Sequence, residues 1–232
     1  MTADNRPSAT ERWENLHRQP RFRPRYPHEQ VVRWTFGNLP RRAGEQPPRV
    51  LDLGCGAGRH ALFLAAEGYE AYASDISRSG LDELQKTALA RGLVVRTELT
   101  SDLSCYKPVF FDAVISFGVL YYMSYEAATA CIAAVHRILK PGGKFLCVTR
   151  TDQDGRRHDA IVQPAPFTWR LGGLSTDAPS DAEAGMDMLF LPRSQIERMV
   201  SMFARTTIDR MSYRHGDFID DDWVVSAEKS AL

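Results

Sequence analysis

The chain has 232 residues, with 29 Lys and Arg against 29 Asp and Glu, a formal net charge of +0 and 44% apolar residues. That length predicts one α/β domain with an ample core, and the charge balance excludes the broad basic footprint of tight non-specific nucleic-acid binding. No apolar run approaches the roughly 18–20 residues of a membrane span, residues 1–18 are too polar for a signal peptide, and Cys55, Cys105, Cys131 and Cys147 lack metal-ligand spacing, as expected of reduced thiols in a cytoplasmic protein.

Two short helices are expected over 9–18 and 28–36. Between them, residues 20–27 are expected to be extended, because Pro24 and Pro27 push their predecessors out of helical backbone. An extended stretch would put Arg21, Arg23 and Arg25 on one face. Residues 1–49 hold ten Arg against five acids, so the remainder is net acidic by the same margin. A Pro/Gly/Arg linker covers 39–49.

The apolar run at 49–53 reads as a buried strand and is followed by Gly54, Gly56 and Gly58. Glycine lets the chain take positive φ and lets a ligand approach the backbone. A helix then runs to Glu67, with Gly68 where a C-terminal cap belongs. Such a strand–loop–helix turn points amides and a helix N-terminus at a ligand. A strand over 70–74 closes on Asp75, a helix over 77–91 is capped by Gly92, and strands follow at 93–97 and 111–116. The helix expected over 126–140 has its apolar stripe at Ala127, Cys131, Ala134, Val135 and Ile138, and Pro141-Gly142-Gly143 stops it. A fifth strand takes 144–149.

Five strands alternating with helices predict an α/β, doubly wound parallel sheet. Ligands bind such sheets beyond the strands' C-terminal ends, and Gly54, Asp75, Asp102 and Ser116-Phe117 all fall there. Residues 150–191 are too long for an ordinary connection. A helix over 192–203 precedes two alternating stretches, 206–213 and 223–227, joined through His215-Gly216-Asp217 as a closing hairpin.

A dinucleotide fingerprint needs Gly where Arg59 stands, and a phosphate loop needs Gly-Lys-Ser/Thr. The spacing Val50-Leu51-Asp52-Leu53-Gly54-Cys55-Gly56-Ala57-Gly58 instead resembles motif I of the class I S-adenosylmethionine (SAM)-dependent methyltransferases. The run from Phe111 to Met123 is similar to motif IV and its continuation, and Leu139-Lys140-Pro141-Gly142-Gly143 to the family's L-K-P-G-G signature. The resemblance covers 49–149 by motif and 192–228 by architecture. Gly58-Arg59-His60 resembles the tellurite-resistance type and related small-molecule enzymes. The resemblance implies a Rossmann-like seven-stranded sheet ending in an antiparallel hairpin. The two N-terminal helices are expected to form a cover over 1–48, a stretch in which the sequence departs from the family, and the resemblance implies a methyltransferase domain over 49–232, in which 150–191 form a lid over the acceptor. It also implies SAM as donor, S-adenosylhomocysteine as product and no metal. Donor contacts would come from Asp52, Gly54, Cys55, Gly56 and Gly58. Asp75 would take the ribose hydroxyls, Ile76 the adenine face, and Asp102 with the Leu103 backbone the adenine amino group. Ser116, Phe117 and Tyr121 would complete the set.

A sulfonium donor is already activated, so the protein must align the acceptor and exclude water. Motif I therefore names the donor and leaves the acceptor open. His158, beside Asp159, and Tyr122 are candidate catalytic groups; a surface histidine and a core tyrosine are the alternatives. Arg21 and Arg23 could bind a carboxylate or an anionic acceptor, or form a solvated arm. Trp13, Phe22 and Tyr26 could close over the donor or dock the N-terminal helices. Phe167, Trp169, Met186, Met188 and Phe190 would line the lid, or serve a dimer contact. The expected activity is methyl transfer to O or N of a small molecule, as in natural-product tailoring, by a monomer or homodimer. An RNA or tRNA methyltransferase using the N-terminal arginines, and a non-catalytic SAM-binding partner subunit, are the rival readings.

Overall fold

The structure is a computed structural model that describes residues 7–41, 44–172 and 183–231. The first six residues, two residues of the expected linker and residues 173–182 of the expected lid lie outside the described residues. The chain divides into two compact units, Met1–Ser101 and Asp102–Leu232.

The first unit begins with α1 (Ala9–His17), which starts in a capping box: Ser8 Oγ accepts from Glu11 N at 3.2 Å while the Glu11 carboxylate accepts from Ser8 N at 2.8 Å. α2 (Glu29–Asn38) is capped by His28 Nδ1, which accepts from Gln30 N at 3.1 Å. The stretch between them corrects the expectation of extended backbone. Pro20–Phe22 form a 3-10 turn, since proline at a first helical position brings its fixed φ and needs no N–H partner. The three arginines therefore do not share a face. Arg23 turns inward, Arg21 lies over the Phe22 ring at 4.9 Å, and Arg25 over the Tyr26 ring at 5.6 Å.

Strands β1 (Arg49–Leu53), β2 (Glu70–Asp75) and β3 (Val95–Leu99) run parallel in the order β3-β2-β1, with α3 (Arg59–Ala66) and α4 (Arg78–Ala90) as crossovers. Val50, Leu51, Asp52 and Leu53 are all buried, as in a strand covered on both faces. β3 begins two residues later than the pattern predicts. Gly92 takes φ +63° and Leu93 N bonds back to Ala88 O at 2.9 Å, so the turn closing α4 uses the residues read as strand.

The second unit pairs β4 (Phe111–Phe117) parallel with β5 (Leu139–Arg150), and adds β10 (Phe218–Glu228) and β9 (Arg205–His215) antiparallel. The seven strands are ordered β3-β2-β1-β4-β5-β10-β9, the Rossmann-like sheet with a closing antiparallel hairpin that the sequence predicts.

α5 (Tyr125–Ile138) starts on its Ser124 cap and buries Ala128, Ile132, Val135 and Ile138, whereas Ala127 is exposed. The predicted stripe is thus out of phase in its first half. The helix ends at Ile138 because the residue before Pro141 is driven to extended backbone, and Pro141-Gly142-Gly143 open β5. α6 covers only Arg193–Met199 of the expected 192–203. Within 150–191, strands β6 (Ala160–Ala165), β7 (Thr168–Leu171) and β8 (Asp187–Leu189) form a small antiparallel sheet. Met188 and Phe190 are buried at 0% and 1% exposure, so they belong to that segment's core and do not form an open lining.

Candidate functional site

In the first unit the glycine loop leaves β1 with Gly54, Gly56 and Gly58 at φ +68°, +53° and +80°. Its amides are used internally. Gly54 N and Cys55 N donate to Ser74 O at 2.8 and 3.0 Å, and Gly58 N to Cys55 O at 2.8 Å. Gly56 N donates to Asp75 Oδ2 at 2.7 Å. A loop whose amides are taken up in this way is poorly suited to cradle a pyrophosphate, which needs them pointing outward. The Arg59 departure from the dinucleotide fingerprint therefore has a structural counterpart.

Asp75 ends β2 with 7% exposure. Each carboxylate oxygen accepts one amide, Oδ2 from Gly56 and Oδ1 from Ser77 N at 2.8 Å. A carboxylate offers about four lone-pair sites, so each oxygen keeps one for a further O–H donor. Burial raises the Asp75 pKa above the ordinary value, and the two amides and His17 oppose that rise. Asp52 faces elsewhere. Its Oδ2 accepts from Ala61 N at 3.0 Å, and Oδ1 lies 3.8 Å from His60 Nδ1. α3 has only Gly58 at its N-cap, and the Asp52 carboxylate compensates its first amides. Cys55 is buried, and burial pushes its thiol well above the usual range. Ile76, beyond β2, is half-buried.

The N-terminal residues reach this loop through groups that sequence reasoning did not single out. Glu14 accepts from Ser79 N at 3.1 Å and from Ser77 Oγ at 2.9 Å, placing a carboxylate on the N-terminus of α4. His17 is buried beside Gly56 and Gly80. Arg23 donates to His17 O and, at 3.0 Å, to Glu83. No pattern in the sequence marks Glu14 or His17. Arg21 and Tyr26 stand exposed, Tyr26 at 72%.

In the second unit, Asp102 is exposed and accepts from Ser104 N at 2.7 Å, which holds its pKa below the ordinary value. Leu103 is buried, and its carbonyl accepts from Arg137 Nη2 at 2.6 Å. Ser116 is buried at the end of β4, and Phe117 is half-buried. A 3-10 turn, Leu120–Tyr122, carries both tyrosines. Tyr121 lies beneath Arg150, whose guanidinium carbon is 4.9 Å from the ring centre. The Tyr122 hydroxyl donates to Glu183 Oε1 at 2.6 Å, and burial pushes its pKa well above 10. Tyr122 is therefore a hydrogen-bond donor and is poorly suited to act as a base. His158 is exposed on the 3-10 turn Gly155–Asp159.

Around Tyr121 and Tyr122 lies a buried charge network. Arg150 Nη1 pairs with Asp154, Asp220 and Asp222 at 3.1, 3.3 and 3.2 Å. Arg156 pairs with Asp154, Glu183 and Asp220 at 3.3, 2.9 and 2.6 Å. Phe167, at φ +60°, packs its ring 5.4 Å from Tyr125, and Trp169 carries Arg157 over its ring at 5.3 Å. Among the described residues no cluster of His, Cys, Asp and Glu could hold a metal ion, and no helix is long and apolar enough to cross a membrane.

Residues 50–143 match the family model described as a methyltransferase domain. The chain is 27% identical over 123 residues to a probable SAM-dependent methyltransferase, TehB, of Haemophilus influenzae, which covers 53% of this chain and 41% of that one. It is 36% identical over 107 residues to a ubiquinone biosynthesis O-methyltransferase of Xanthomonas oryzae, covering 44% and 42%. The chain thus spans about two fifths of the length of these curated relatives. A solved 1,6-didemethyltoxoflavin-N1-methyltransferase of Burkholderia thailandensis, with bound S-adenosylhomocysteine, superposes with a TM-score of 0.64 at 19% identity over 98% of this chain and 93% of that one. Residues 50–143 thus resemble a methyltransferase domain, and the chain has the fold of solved SAM-dependent methyltransferases, TehB of Haemophilus influenzae among the proteins it is similar to.

Proposed function

We propose that the protein transfers a methyl group from SAM to O or N of a small-molecule acceptor, as a cytoplasmic enzyme of a biosynthetic or tailoring step. The observation that carries the reading is the Asp75 carboxylate, pinned by the amides of Gly56 and Ser77 with one lone pair left on each oxygen. That arrangement suits two hydroxyls on adjacent carbons, as a ribose offers. The internally bonded glycine loop suits a donor without phosphate. When bound, SAM supplies an already activated methyl group. The chain's own residues orient the donor by its ribose and exclude water.

The roles of Asp102, Leu103, Ser116, Phe117 and Tyr121 in donor binding follow from the resemblance. So does the acceptor lid over 150–191; the cover over 1–48 is read from the two N-terminal helices. Relatives named for O- and N-methylation support a small-molecule acceptor and leave its reacting atom as O or N.

Calorimetric titration with S-adenosylhomocysteine tests the reading. Replacing Asp75 by Ala removes hydrogen bonding to a charged group, a loss of about 1.5–3 kcal/mol in all, so affinity should fall by about ten- to a hundredfold. Unchanged affinity in Asp75→Ala would remove Asp75 from the donor site.

A further inference from the structure

His17 is the one buried titratable side chain that α1 brings to the glycine loop, and it is 6% exposed. Its ring is wedged between two glycines: a Cβ built on Gly56 would lie 3.0 Å from Nε2, and one built on Gly80 would lie 3.0 Å from Nδ1. A side chain at either glycine would crowd the imidazole, and at Gly80 it would also meet the Gly56 carbonyl at 3.0 Å. The ring does more than fill space. Nδ1 is buried without a hydrogen-bond partner, a cost that an apolar side chain of similar size would avoid. The segment is also fastened at this spot by Glu14 on Ser77 and Ser79, and by Arg23 on Glu83.

We propose that His17 is a positioning residue for the methyl donor: the neutral ring leaves the Asp75 carboxylate to the two ribose hydroxyls, and the protonated ring pairs with Asp75 and draws it away from them. The proposal rests on the reading of Asp75 as a donor contact. The charged groups facing His17 are Asp75 from β2, Glu14 from its own helix and Arg23 from the turn that follows. Burial, the largest influence, and Arg23 favour the neutral ring. Asp75 and Glu14 favour the charged one. The balance keeps the His17 pKa below the ordinary 6.5, so the ring is neutral near pH 7 and charges in acid. Donor affinity should then fall by up to about tenfold for each pH unit below the His17 pKa, because the protonated form must release its proton to bind.

The test is calorimetry of S-adenosylhomocysteine binding to the full chain between about pH 5 and pH 8, for the unaltered protein and for His17→Gln, which keeps a polar side chain and cannot charge. The expected result is a falling affinity in acid for the unaltered protein and a flat profile for His17→Gln. Asp75 itself also titrates in acid, so a fall that persists in His17→Gln belongs to Asp75 and overturns the proposal. A flat profile with binding in the unaltered protein overturns it too. No binding at any pH overturns the donor reading on which it stands. Where circular dichroism finds His17→Gln unfolded, proton NMR of the unaltered protein decides. S-adenosylhomocysteine must lower the His17 pKa further, and an unchanged titration refutes the role.

Discussion

Replacing Gly58 by Ala probes whether the glycine loop is shaped by its own packing as well as by a ligand. Two costs add at this position. Gly58 sits at φ +80°, where an L-residue pays about 1–2 kcal/mol. A Cβ there would lie 2.3 Å from Leu84 Cδ1 and 2.8 Å from both Cδ2 and Cγ. Leu84 is 0% exposed, so its side chain has no solvent to swing into, and overpacking of this kind costs about 1–3 kcal/mol. The sum is a destabilisation of about 2–5 kcal/mol, read by urea unfolding monitored by circular dichroism. The cause can be separated by a double-mutant cycle. Leu84→Ala alone leaves a cavity and should cost about 2–5 kcal/mol. In the double variant the clash disappears and the backbone term remains, so the two losses should sum to less than the singles by about 1–3 kcal/mol. A Gly58→Ala loss under about 1 kcal/mol, or strict additivity with Leu84→Ala, would show that the packing around Gly58 is not what requires a glycine there.

Two further outcomes follow from the second unit. Tyr122→Phe leaves a buried carboxylate oxygen of Glu183 without its hydroxyl donor, so stability should fall by about 1–3 kcal/mol; a neutral effect in urea unfolding would mean that the bond adds nothing. Asp222 has its pKa pushed up to about 6, by burial first and by Asp154 and Asp220 next. Its folded pKa thus lies above the unfolded one, the native state holds the extra proton, and stability falls as pH rises from about 4 to about 6. Asp222→Asn removes that slope, so its stability relative to the unaltered protein should improve across the same window. A constant difference would refute it.

The order of elements was legible because three strand ends coincide with a chemical signal: Gly54 after β1, Asp75 as the last residue of β2, Ser116-Phe117 at the end of β4. Errors fell where a side chain or a turn decided a boundary. The closing turn of α4 consumed Leu93, and the Ser124 cap rotated the start of α5 so that Ala128 and not Ala127 faces inward. Residues 20–22 were misread because the helix-starting role of Pro20 was not weighed, whereas 23–27, governed by Pro24 and Pro27, stay out of helix as expected. The place of Asp75 at the C-terminal end of a strand was legible. Asp52 was identified as part of the motif, but its caps on α3 were not visible in the spacing. Glu14, Glu183 and Asp222 reach their partners across 61 to 72 residues, and His17 meets Gly56 from a separate N-terminal helix. Local periodicity carries no trace of such pairings.

The charge network of the second unit also bears on how this chain could vary. Arg150 and Arg156 stand at the exit of β5, and the acids that neutralise them come both from the inserted segment, Asp154 and Glu183, and from the hairpin, Asp220 and Asp222. An inserted segment that lacked Arg156 would leave hairpin carboxylates buried beside too few cations, a loss of about 3–5 kcal/mol when one partner of such a pair is missing. The inserted segment is thereby tied to the closing hairpin as a unit of inheritance. Exchange between relatives would have to carry both pieces together, whereas substitutions at exposed positions such as Ile161 and Val162 can proceed one at a time.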